Sequence, residues 1–92
     1  MSEQRIDTIR LQRIARGFTE TAVFYAAIDL DLFTHVSHGA ASIDAVAAAA
    51  NISALNAERT VVVLLAMGLL EKDVDGQLRN APDCEKFMVS TS

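Results

Sequence analysis

Three side chains in this sequence could carry metal or nucleophile chemistry: His35, His38 and Cys84. Two histidines three residues apart at a helix end can share one zinc ion, but a zinc site takes about four ligands. No second cysteine and no clustered carboxylate stands by to complete the set. A catalytic thiol needs a partner that lowers its pKa, and a distant histidine is no evidence for one. A half-buried structural cysteine is the simpler reading of Cys84. Gly39, Gly68 and Gly76 are isolated turn glycines, so no glycine-rich strand-to-helix loop is present to hold a nucleotide. The expectation is a chain that catalyses nothing by itself and holds neither metal nor cofactor.

The elements that would position any site centre on the stretch from Ser53 to Asn80. Ser53 is a good N-cap, because its hydroxyl can accept from a free amide of the first turn. Leu55 to Met67 contains no proline or glycine, and Gly68 falls where a left-handed C-terminal cap belongs. Leu70 to Asp73 and Gln77 to Asn80 flank Val74-Asp75-Gly76, and Asp-Gly is a strong hairpin signal. Upstream, Ser42 caps a helix over Ile43 to Ala50 that ends at Asn51, a residue tolerant of the left-handed conformation. Residues 42–67 therefore read as a helix-turn-helix and 69–80 as its wing. A last helix over 81–89 starts with Asn80 as its cap and Pro82 in its first turn.

The N-terminal part, 3–36, reads as further helices. Leu11, Ile14, Ala15, Phe18, Ala22, Tyr25 and Ala26 follow the helical i, i+3, i+4, i+7 rule, with Arg10, Arg13, Arg16 and Glu20 mostly on the other side. Gly17 costs about 1 kcal/mol relative to alanine inside a helix, which predicts a kink or break there. Asp31 is placed to cap a short helix through Val36. Two segments, Ala22 to Ile28 and Val61 to Met67, are apolar on every side. A helix of that kind must be covered all round, and one small domain has little material for it. Part of the cover is expected from another chain or domain.

With 92 residues the chain is expected to form one domain. Half of it is hydrophobic, but aromatics are scarce and alanine is abundant, which suits close helix-on-helix packing. The net charge of −4 argues against nucleic acid, since phosphate binding needs a basic face. Arg5, Arg10, Arg13 and Arg16 do make the first residues basic, against Glu3 and Asp7, and a solvated helix face accounts for them. One cysteine permits no internal disulfide and fits a reducing cytoplasm. No apolar run approaches the roughly 20 residues that a bilayer requires, and the opening residues carry no signal-peptide pattern. A soluble, cytoplasmic protein with no membrane partner is the expectation.

The order of these segments resembles a known family. Ala26-Ala27-Ile28-Asp29-Leu30-Asp31-Leu32-Phe33 resembles the A-x-x-L-G-L-F segment of small-molecule O-methyltransferases related to hydroxyindole and caffeate methyltransferases. Ser42-Ile43-Asp44-Ala45-Val46-Ala47 is similar to their T-x-x-E-L-A. Glu58 through Leu70 is similar to their x-R-L-L-R-x-L-x-x-x-G-L-L. Asp31 replaces the glycine of that pattern, Ala45 a common glutamate, and Val62 a common arginine. The resemblance implies an N-terminal winged-helix dimerisation domain whose helices interlock with those of a second subunit. It also implies a C-terminal Rossmann-like domain that binds S-adenosylmethionine. The glycine-rich cofactor motif of that domain has no counterpart in these residues.

The expected fold is thus mainly α: a winged helix-turn-helix with additional N-terminal dimerisation helices and a small two-stranded β-ribbon. The expected function is the dimerisation module of an S-adenosylmethionine-dependent O-methyltransferase acting on a small molecule, present without its catalytic domain. The alternatives are a winged-helix transcriptional regulator that binds DNA as a dimer, and a stand-alone dimer partner. S-adenosylmethionine belongs to the parent enzyme, whose partner in the same chain would be the Rossmann-like domain. Phe18, Phe24, Tyr25, Val62, Val63 and Met67 are the expected dimer interface or acceptor-pocket wall.

Overall fold

Two serines and a glycine set the centre of the fold. The Ser42 and Ser53 hydroxyls each accept from the amide three residues on, Ala45 and Asn56, at 3.1 Å. These caps open α3 (Ile43–Ala50) and α4 (Ala54–Ala66). Asn51 joins them in the left-handed region at φ 58°. At the far end of α4, the amide of Gly68 (φ 78°) donates to the Leu65 carbonyl and that of Leu69 to the Leu64 carbonyl. This reciprocal pair is a Schellman cap, and it redirects the chain into a ribbon.

The computed structural model of the chain describes residues 8–90. The expected helix start at Glu3, and the basic Arg5, lie outside the described residues. In the ribbon, β1 (Leu70–Lys72) pairs antiparallel with β2 (Leu78–Asn80), with Leu70 opposite Asn80 and Lys72 opposite Leu78. Its tip is a three-residue loop. The Gly76 amide donates to the Asp73 carbonyl, Gly76 itself is left-handed at φ 79°, and the Asp73 carboxylate accepts from the amides of Asp75 and Gln77. A type I turn closed by a left-handed glycine is a standard hairpin solution. The Leu78 amide donates to the Ala41 carbonyl at 2.8 Å, which ties the outer edge of the wing to the loop before α3.

Before this unit come α1 (Ile9–Asp29) and α2 (Leu32–Ser37); after it comes α5 (Pro82–Phe87). The core is Phe33, Leu32, Leu64, Leu70, Val46 and Val61, all fully buried, with Ala27, Ala47, Ala57 and Cys84 filling narrow contacts. Phe24 leans on Phe33 with ring centroids 6.4 Å apart. The result is the mainly α winged helix-turn-helix with a two-stranded ribbon that the sequence predicts.

Three expectations are corrected. Gly17 neither kinks nor breaks the first helix, which runs through it from Ile9 to Asp29; its cost of about 1 kcal/mol is small beside the bonds of a 21-residue helix. Asp31 occupies the N-cap position of α2 but is left-handed (φ 56°) and offers no side-chain bond to a backbone amide. Its carboxylate instead accepts from the hydroxyls of Thr34, at 2.8 Å, and Ser90. That backbone conformation explains why the family pattern has glycine there. Asn80 does not cap α5 either: Ala81 does so without a side-chain bond, and the helix ends at Phe87 rather than at 89.

Asn80 has another task. Its side chain is buried and donates to the Phe33 carbonyl (2.8 Å) and to Glu85 Oε1 (2.9 Å), while the Ser37 hydroxyl donates to Glu85 Oε2 at 2.7 Å. One network thereby joins α2, β2 and α5. Bonds from Asn80 and Ser37, with the His38 charge adding, hold the Glu85 carboxyl below its usual range. A carboxyl depressed in the folded state contributes stability that is present above its unfolded pKa and lost as pH falls through the folded one. Thermal melts should therefore weaken on acidification below about pH 4.3, the usual glutamate value. Glu85→Gln should flatten that acid limb; an unchanged slope in the variant would exclude Glu85 as its source.

Candidate interaction surface

Helix α1 is the element out of place. At 1.5 Å per residue it is roughly 31 Å long, and only its C-terminal half rests on α2 and α4. The molecule measures 59 × 28 × 27 Å with a radius of gyration of 15.9 Å, where a compact chain of this length would have about 12 Å. The excess is α1 projecting from the body.

Its two sides differ in a way that periodicity alone did not indicate. At about 100° per residue, Leu11, Ile14, Phe18, Ala22 and Tyr25 lie within roughly 40° of one line, and Ala27 lies opposite them. Ala27 is buried, and its neighbours Val23 and Phe24 are half-buried against the core. The stripe opposite is exposed: Leu11 60%, Ile14 58%, Phe18 78% and Tyr25 62%. The regular apolar face of α1 therefore points away from its own domain. Among soluble monomers, contiguous exposed apolar surface of this kind marks an interaction site.

Helix α4 repeats the pattern on a smaller scale. Ala57, Val61 and Leu64 are buried, while Leu55 and Val62 remain more than half exposed. Between α1 and α4 lies an open groove of about 500 Å³, lined by Arg16, Thr19, Glu20, Val62, Val63 and Ala66. A second hollow of about 200 Å³ sits beneath α5, lined by Phe24, Leu69, Asp83, Cys84, Phe87 and Met88.

Of the six residues singled out in the sequence, Phe18, Tyr25 and Val62 are exposed, and Phe24, Val63 and Met67 are half-buried. Phe18 and Tyr25 share the outer stripe; Val62 and Val63 line the groove; Phe24 turns inward to Phe33. Leu11 and Ile14 belong with the outer stripe as well, although the helical repeat alone marks them as ordinary positions. The signal that separates them is the second apolar face, Val23, Phe24 and Ala27, which already supplies the helix with a contact to its core.

The chemistry-bearing side chains stay apart. His35 is half-buried in the last turn of α2 and His38 is exposed just beyond it. Among the described residues no group of three or more metal-ligating side chains comes together. Cys84 is buried, and burial, then the neighbouring Asp83 carboxylate, pushes its thiol pKa up. A raised pKa removes the thiolate that a nucleophile needs.

Among the described residues no helix is long and apolar enough to cross a membrane. No curated protein sequence matches the chain significantly. Solved structures do. Human N-acetylserotonin methyltransferase, in complex with S-adenosylmethionine, is similar over the whole chain with a TM-score of 0.80 and 26% identity, across 28% of its own length. NcsB1, an O-methyltransferase from neocarzinostatin biosynthesis bound to S-adenosyl-L-homocysteine, matches 83% of the chain with 28% identity and a TM-score of 0.68, across 25% of its length. An O-methyltransferase family protein from Burkholderia thailandensis shares the fold at a TM-score of 0.75 and 22% identity, over 97% of this chain and 26% of that one. The chain thus spans about a quarter of the length of the structures it matches. The family model for the O-methyltransferase dimerisation domain matches residues 12–90, and with the uncovered faces of α1 and α4 it settles the family: the chain belongs to the O-methyltransferase dimerisation domains.

Proposed function

We propose that this chain is the self-association module of an S-adenosylmethionine-dependent O-methyltransferase, forming a homodimer through α1 and α4. The observation that carries the reading is the exposed stripe of α1, which no part of the chain's own described domain covers. Membership in the dimerisation-domain family supplies the kind of partner, a second copy. Phe18 and Tyr25 on the stripe, with Val62 and Val63 at the groove, form the contact surface. Phe24, packed on Phe33 beneath Tyr25, stiffens the helix where the stripe meets the body.

The methyl transfer itself belongs to a Rossmann-like catalytic domain in the parent enzyme, acting on a small-molecule hydroxyl in the cytoplasm. S-adenosylmethionine is the cofactor of that domain, as the bound forms of the similar enzymes support. Nucleic acid is not part of the proposal. Helix α4 exposes Arg59 beside Glu58, and the wing sets Lys72 and Arg79 against Glu71, Asp73 and Asp75, with Arg79 engaged by Glu71 at 3.1 Å. An acidic wing repels the duplex backbone.

Sedimentation equilibrium tests the association. A dimer is expected at micromolar concentration, the range of about 1 µM dissociation constants or tighter for a standard interface. A clean monomer at about 100 µM, well above that constant, would overturn the proposal.

A further inference from the structure

Asp31 stands in the elbow between α1 and α2 with its backbone at φ 56°, a conformation open mainly to glycine, asparagine and aspartate. The family pattern places glycine there, so backbone freedom alone does not call for a carboxylate. Its hydrogen bonds do. Asp31 Oδ1 accepts from the Thr34 hydroxyl at 2.8 Å and from the Ser90 hydroxyl at 3.2 Å, and the Ser90 amide donates to Thr34 Oγ1 at 2.8 Å. The three side chains close a ring, and its two bonds from Ser90 span 56 and 59 positions of sequence. Thr34 makes this more than a surface contact. It is 7% exposed, and a buried hydroxyl without an acceptor carries the cost of its lost hydration. Glycine at 31 would take away the acceptor it uses.

We propose that Asp31 is a positioning residue, whose carboxylate clasps the segment leaving α5 to the base of α1. Met88 and Val89, half-buried against the core, bring the chain to this point, but apolar burial is non-directional. The ring at Ser90 adds the direction. It is the second polar tie of this region to α2, after the bonds of Glu85 with Ser37 and Asn80. The consequence for the parent enzyme rests on the dimerisation-module reading. There α1 meets the second copy, and a catalytic domain that follows this one is reached through Ser90. The clasp then sets the heading of that domain relative to the dimer contact.

Amide hydrogen exchange in the full chain, followed by NMR, tests the clasp. Asp31→Gly and Asp31→Asn both tolerate the left-handed backbone, and only asparagine keeps an Oδ1 acceptor. Asp31→Gly should speed exchange of the Ser90 amide at least roughly tenfold, the effect of losing a hydrogen bond to a charged group. Thr34→Val, which removes the acceptor of that amide, should do the same. Asp31→Asn should retain most of the protection. The Leu78 amide, bonded to the Ala41 carbonyl, should exchange at the parent rate in both Asp31 variants. Unchanged Ser90 exchange in Asp31→Gly would overturn the proposal. So would equal acceleration at Ser90 and Leu78, which marks a loss of overall stability rather than of a clasp. Sedimentation of the parent chain decides the homodimer separately: a monomer would overturn that reading, while Ser90 exchange still decides the clasp.

Discussion

Ile14→Asp and Phe18→Asp together should convert the dimer to a monomer at micromolar concentration, weakening association by at least about 100-fold. Each substitution acts twice across a two-fold contact. Burying a large apolar side chain is worth about 1.5–3 kcal/mol, so losing Phe18 alone from both copies removes about 3–6 kcal/mol, where 1.4 kcal/mol is tenfold. The introduced carboxylates add the cost of burying unpaired charge. The monomer should stay folded with its helical circular dichroism intact, because Ile14 and Phe18 are 58% and 78% exposed in the isolated domain. Val74→Asp, at the fully exposed wing tip, is the matching control and should leave the dimer unchanged. A double variant that sediments as a dimer with unaltered affinity would remove the α1 stripe from the interface.

Phe33→Ala should have the largest effect on folding. Phe33 is the bulkiest of the fully buried side chains, sits at the start of α2, and faces Phe24. Truncating a buried phenylalanine costs about 3–5 kcal/mol from lost transfer energy and the cavity left behind. A domain of this size has only about 5–15 kcal/mol in total, and 1 kcal/mol moves its Tm by about 4–8 °C. The Tm should fall by roughly 15 °C or more on that scale. The comparison must be made at one protein concentration, since dimerisation raises apparent stability by mass action. Phe87→Ala, at a side chain 73% exposed, should shift the Tm by only a few degrees. A Phe33→Ala melt within a few degrees of the parent would show that the core does not depend on this ring.

Much of the fold was legible because it is held by short-range bonds. The caps at Ser42, Ser53 and Gly68, the left-handed Asn51 and the Asp73 to Gln77 turn all close within five residues. Each depends on a residue type whose side chain or backbone freedom serves that one geometry. Asn80 departs from its expected capping role for the complementary reason. Its position before Pro82 suits an N-cap, but the alternation Leu78, Arg79, Asn80 puts Asn80 on the inward face of β2 with Leu78. There it meets the carbonyl of Phe33, 47 residues away. A partner that distant leaves no local trace.

The sequence by itself determined that α1 has a regular apolar stripe and that Ala22 to Ile28 and Val61 to Met67 exceed what one small domain can cover, because helical period and side-chain polarity are local properties. Which face would be covered was decided only by the tertiary structure. Val23, Phe24 and Ala27 fill the space beside Phe33 and turn the longer stripe, Leu11 to Tyr25, toward solvent. A helical repeat specifies a face and its polarity; what that face meets depends on where α2 and α4 stand, and their positions follow from contacts spread across the whole chain.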